Sequence, residues 1–242
     1  MRTRLIAKLE IKSENVVKPI HFEGLKVIGS PAKLAKKYYD EGIDELLLID
    51  IVSSLYQRSI NYNLIKDISK KIFIPITVGG GIKSVKQISD LLDHGADKIS
   101  INSFALQTKP NFINQAVKRF GSQCITVNID AKKIRNNWNC ISDSGRVYSD
   151  KNVIDWMREV EDRGAGEILL QSLDTDGTMK GFDLELLGKI KNVVNIPIII
   201  SSGAGNIDHI KRLKKKINPD AICISSVLHY KKLKIKNIKM NI

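Results

Sequence analysis

The chain has 242 residues, 43% of them hydrophobic, and a formal net charge of +13. That length suits a single α/β barrel, no apolar run approaches the roughly 18 residues of a membrane span, and the N-terminus carries no secretory h-region, so a cytoplasmic protein is expected. Three cysteines, Cys124, Cys140 and Cys223, are odd in number and widely spaced, which argues against a disulfide framework and against a zinc site.

Taken in chain order, β-branched runs at 4–10, 46–51, 74–78, 97–101, 124–130, 167–172, 197–201 and 221–225 predict strands. They are apolar on both faces, as buried parallel strands are. Amphipathic patterns near 31–42, 61–72, 84–95, 109–120, 152–164, 183–193 and 207–216 predict the intervening helices, with a weak last one after 231. That tail carries a basic stretch from Lys231 to Lys239, which raises nucleic acid as a partner. No aromatic residues interleave with the lysines to stack bases, so neither nucleic acid nor a membrane is expected. A phosphorylated substrate would gain from the positive field.

Eight successive βα patterns predict a parallel sheet. The chain also repeats itself: Ile74-Pro75-Ile76 is answered by Ile196-Pro197-Ile198, and Gly42-Ile43-Asp44-Glu45 by Gly164-Ala165-Gly166-Glu167, 122 residues apart in both cases. That period is half of an eight-stranded barrel. The expected fold is therefore a (β/α)8 TIM barrel of two similar halves, spanning 1–242 as one domain.

In such barrels the chemistry lies where strands end and βα loops begin. The first strand ends at Glu10 and the fifth at Asp130, in nearly equivalent places of the two halves. Two carboxyls flanking one mouth suit general acid and general base work; a lone one would read as a solvated or lysine-paired strand end. Val78-Gly79-Gly80-Gly81 and Ser202-Gly203-Ala204-Gly205 follow the third and seventh strands, each ahead of a helix, where backbone N–H groups make anion sites. Asn102-Ser103 and Ser225-Ser226 end the fourth and eighth strands beside them. Two such pairs, on Gly81 and Ser103 and on Gly203 and Ser226, point to a substrate with a phosphate at each end. Asp50, and Asp176-Gly177 after the sixth strand, read either as turns or as groups that orient sugar hydroxyls. Neither a metal nor a cofactor is called for.

Several stretches together carry a resemblance: Thr77-Val78-Gly79-Gly80-Gly81-Ile82, Gly95-Ala96-Asp97-Lys98, Ser100-Ile101-Asn102-Ser103, Ile129-Asp130-Ala131-Lys132 and Asp176-Gly177-Thr178. From end to end the chain resembles the cyclase subunit family of imidazole glycerol phosphate synthase, a lyase of histidine biosynthesis. The resemblance implies a heterodimer with a glutaminase docked on the N-terminal face of the barrel. It implies a bis-phosphorylated ribulosyl aminoimidazole carboxamide substrate, which ammonia converts to imidazole glycerol phosphate and AICAR. By the same resemblance Glu10 and Asp130 are the acid and base, Lys18 in the retained Val16-Val17-Lys18 belongs to the phosphate-binding set, and Arg4, Glu45, Lys98 and Glu167 ring the floor and gate ammonia.

The interior departs from that family. Lys8-Leu9-Glu10-Ile11-Lys12 stands where the family reads cysteine-leucine-aspartate-valine-lysine, Gln171 replaces a threonine, and Ser202 a glycine. Strand alternation turns Lys8 inward with Glu10, and Asn128 inward with Asp130. Either Lys8 pairs with Glu10 or Asp130 in a compensated layer, or the reaction or conduit is altered. The second alternative describes a paralogue relaying ammonia to a sugar-amidating enzyme of surface-glycan synthesis; an inert docking partner that only activates the glutaminase is a third.

Overall fold

The computed structural model describes residues 2–21, 23–53 and 61–242. Strands β1 (Arg4–Lys12), β4 (Glu45–Asp50), β5 (Ile76–Gly79), β6 (Lys98–Ile101), β7 (Ile125–Ile134), β10 (Glu167–Ser172), β11 (Ile198–Ser201) and β12 (Ala221–Ile224) pair in that order. β12 returns to β1, so the ring closes with every neighbour parallel. Helices α1 (Pro31–Asp40), α2 (Tyr62–Ser69), α3 (Val85–Asp93), α4 (Asn111–Phe120), α5 (Val153–Asp162), α6 (Leu184–Ile190) and α7 (Ile207–Ile217) follow in alternation, before two short terminal ones, α8 (Ser226–His229) and α9 (Ile235–Lys239). This is the (β/α)8 barrel that the eightfold alternation predicts.

Period-2 alternation builds two cores from one strand set. On β1, Leu5, Ala7, Leu9 and Ile11 face outward into the main core with the helices. Ile6 faces inward and meets Leu47, Leu169, Ile199, Ala221 and Cys223 in a small cluster inside the barrel. Polar layers lie above and below that plug. Helix starts are pinned locally: Ser84 and Gln87 form a capping box at α3, and Asn206 caps α7 through the His209 amide. Among the described residues no helix is long and apolar enough to cross a membrane.

Two antiparallel hairpins have no counterpart in the predicted elements. After β1 the chain forms β2 (Asn15–Ile20) and β3 (Glu23–Gly29); after β7 it forms β8 (Asn137–Ser142) and β9 (Val147–Asn152). The turns that enter them from β1 and from β7 use non-glycine residues at positive φ, Ser13 and Arg135, so the usual glycine signal is missing there, whereas the β8–β9 turn carries Gly145 at positive φ. The half-barrel repeat extends to them. Glu10 opposes Val17 in the first hairpin, and Asp130 opposes Ile141 in the second.

Candidate active site

Each inward strand position contributes one layer. At the floor, where strands begin, Arg4 pairs with Glu167 and stands 2.6 Å from Glu45, while the Lys98 Nζ lies 3.3 Å from Glu167 and 3.8 Å from Glu45. The four residues that the resemblance assigned to a gate therefore form one cyclic ion-pair ring. Glu45 and Glu167 are buried and Arg4 and Lys98 half-buried. A buried carboxylate is costly unless paired, and here each has two cations.

Four residues up β1 from Arg4, past Ile6, Lys8 and then Glu10 point into the barrel as alternation requires. The Lys8 Nζ is 3.0 Å from Glu10 Oε1 and donates to Gln171 Oε1 at 2.5 Å. Gln171 in turn donates from Nε2 to Asp130 Oδ1 at 3.2 Å. Asn128 donates to the same oxygen at 3.2 Å, and Asn102 to Asp130 Oδ2 at 2.8 Å. The two strand-end carboxylates are thus joined by a continuous polar chain, and the compensated layer is the arrangement found.

Their surroundings push them apart. Burial alone would raise the Glu10 carboxyl, but Lys18 and Lys8 hold it down at about 2. Burial dominates at Asp130 and raises it to about 6, against the pull of Lys8 and the amides of Asn128 and Asn102. Burial opposes the charge on Lys8, yet the carboxylates of Glu10 and Asp176 hold it protonated, above the ordinary lysine value. Two carboxyls with such separated affinities can divide acid and base roles.

Two recesses open at the strand ends. The larger holds about 270 Å³ and is lined by Glu10, Asp50, Gly81, Asn102, Ser103 and Asp130 among others. The smaller, about 20 Å³, is lined by Asp176, Gly177, Gly203, Ser225 and Ser226. Lys8 borders both. The glycines are obligatory at two points: a Cβ on Gly81 would sit 2.7 Å from Ser53 Cβ, and one on Gly203 2.0 Å from the Gly181 carbonyl, each at positive φ. Among the described residues three buried oxygens near these recesses lack a hydrogen-bond partner, Ser53 Oγ, Asn128 Oδ1 and Asp176 Oδ2.

Not every expected binding group faces a recess. Lys18, expected on a phosphate, lies behind both, its ammonium 2.7 Å from Glu10 Oε2 and 3.3 Å from Asp176 Oδ1. Its side chain is 1% exposed, so its charge is spent on two carboxylates. Asp50 borders the larger recess, but its Oδ1 caps the Val52 and Ser53 amides, the turn alternative. The β8–β9 turn, which no predicted element covered, roofs that recess. Asp143 donates its amide to Ser103 Oγ, Gln107 reaches Asp143, and Ser144 donates to the Ile51 carbonyl. The available signals were the alternation of Trp138, Cys140 and Ser142 and the turn composition of Asp143-Ser144-Gly145, whose glycine has positive φ.

A closed parallel barrel with two unequal carboxyls and two glycine-lined recesses at its mouth places the protein in the (β/α)8 class, with its concave face at the strand ends. The model of the family described as "Histidine biosynthesis protein" matches residues 4–234. The chain is 46% identical over 237 residues to the imidazole glycerol phosphate synthase subunit HisF of Helicobacter hepaticus, covering 98% of this chain and 93% of that one. It is 45% identical to the HisF subunits of Campylobacter concisus (98% and 93% covered) and Flavobacterium johnsoniae (99% and 95% covered). The chain belongs to the histidine biosynthesis family, to its HisF members, and is an enzyme of the cyclase, or lyase, type.

Proposed function

We propose that this protein closes the imidazole ring in histidine biosynthesis. Ammonia would enter through the floor ring of Arg4, Glu45, Lys98 and Glu167, and a bis-phosphorylated ribulosyl aminoimidazole carboxamide would lie across the mouth. The observation that carries the reading is the joined pair Glu10 and Asp130 between two recesses on opposite sides of that mouth. One phosphate is assigned to Gly81 and Ser103. The other is assigned to Gly203, Ser225 and Ser226, at the last two strands, where barrels of this kind commonly hold phosphate. The interior departures that favoured a relay protein of glycan synthesis satisfy one another by hydrogen bonds, as a compensated layer would, which supports the cyclase reading.

The partner would be a glutaminase on the N-terminal face. Supporting this, the charged ring of Arg4, Glu45, Lys98 and Glu167 lies at that face, where the strands begin. Titration of the bis-phosphorylated precursor by calorimetry is expected to show one saturable site whose affinity falls with salt, as two charge-bearing ends require. Absence of heat at millimolar ligand would remove the reading. Changing Arg4→Ala is expected to lower glutamine-driven turnover of the assembled pair more than ammonium-driven turnover. Equal losses would assign the floor ring to stability alone.

A further inference from the structure

We propose that Lys8 is a positioning residue that assigns the proton work at this mouth to Asp130: through its ion pair with Glu10 and through the amide of Gln171, it fixes Glu10 as a permanent anion and leaves Asp130 Oδ2 as the oxygen that exchanges a proton with substrate. This rests on the acid–base reading of the mouth. An ammonium has three donors and no acceptor, so the oxygen of the Gln171 amide must face Lys8, at 2.5 Å. Its NH2 group is thereby forced toward Asp130. Gln171 has no freedom to turn over while Lys8 is charged.

Asp130 Oδ1 then receives two amide donors, from Gln171 and Asn128, and both its lone pairs are occupied. Oδ2 receives one, from Asn102, and keeps a free lone pair. A proton moving between Asp130 and substrate therefore moves at Oδ2: the O–H bond forms there as substrate's bond to that proton breaks, and the reverse returns it, so no other reactant is needed. Glu10 cannot share the task at the same pH. Lys8 holds one of its oxygens and Lys18 the other. Among the described residues the other charged or titratable groups that act on this cluster are Asp176, Cys140, Cys223 and His229. Of these both thiols are pushed up to about 12 and the imidazole down to about 4, chiefly by burial, so none of the three carries charge near neutrality.

The test is a carboxyl carbon NMR titration of the full chain, with the pH profile of ammonium-driven turnover beside it. Lys8→Met is expected to raise the titration of Glu10 by roughly one to three pH units, the usual consequence of losing a cation at 4–6 Å or closer. It should raise that of Asp130 by less, and the acidic limb of the turnover profile should follow Asp130. Gln171→Met, which leaves the Lys8–Glu10 pair intact, should move Asp130 alone. Lys8→Arg should restore the parent position of Glu10. If Lys8→Met leaves both carboxyls titrating where they do in the parent, or if Gln171→Met moves Glu10 as much as Asp130, the proposal is overturned. The NMR arm reads the carboxyls whether or not ring closure is detected, so a parent without turnover would count against the proposed function and not against this assignment.

Discussion

Asp130→Asn is expected to reduce ammonium-driven ring closure by roughly 100- to 10,000-fold, the contribution of a positioned general acid or base, while leaving the folded protein at least as stable at pH 7. The two halves of that expectation have one cause. Burial raises the Asp130 carboxyl from 3.8 to about 6, so between those values the folded chain binds a proton that the unfolded chain has released. Stability therefore falls as pH rises through that window. Above it the ionised group costs on the order of 3 kcal/mol, at 1.36 kcal/mol per pH unit. Asparagine is neutral and nearly isosteric and removes that cost. Part of the gain is given back, because an amide NH2 meets the donor of Asn102 or those of Gln171 and Asn128. Turnover and urea unfolding at pH 7 check both halves. A variant within tenfold of the parent rate would make Asp130 structural.

Much of this site could be read before the fold was known, and the reason is symmetry joined to alternation. The 122-residue repeat places Glu10 and Asp130 on equivalent strands, and period 2 then fixes that Lys8 and Asn128 share their faces; both inward placements are found, with Lys8 on Glu10 and Asn128 on Asp130. The floor ring was legible through the resemblance, which named its four residues, and each of them begins its strand. What alternation cannot supply is partner choice across the barrel. Gln171 and Lys8 are 163 residues apart, and only closure of the ring brings them together. The partners of Lys18 were hidden for the same reason. Its sequence neighbourhood is retained from the family, but the hairpin that turns it back over Glu10 has a turn without glycine, so nothing local announced that its charge was already taken.

Lys18→Met is expected to cost about 3–5 kcal/mol of stability at pH 7, the penalty for stranding buried charge when one partner of a buried pair is removed. That is a large share of the 5–15 kcal/mol that ordinarily separates folded from unfolded chains. The ammonium lies within 3.3 Å of two carboxylates whose side chains are each 2% exposed. Without it Glu10 keeps only Lys8. Asp176 keeps only the Ser202 hydroxyl at 3.4 Å, with its Oδ2 already unpartnered. The deficit must shrink in acid, and the sign follows from Glu10. Its folded-state value of about 2 lies below the ordinary 4.5, so the parent holds this stabilisation fully above pH 4.5 and loses it as pH falls toward 2. The methionine variant, with Glu10 titrating higher, has less to lose. Urea midpoints of the two proteins should therefore lie far apart at pH 7 and draw together below pH 4. Equal midpoints at pH 7 would show that Lys8 alone satisfies Glu10 and that the β2–β3 hairpin is held by its backbone pairing and apolar contacts, not by the ion pair beneath it.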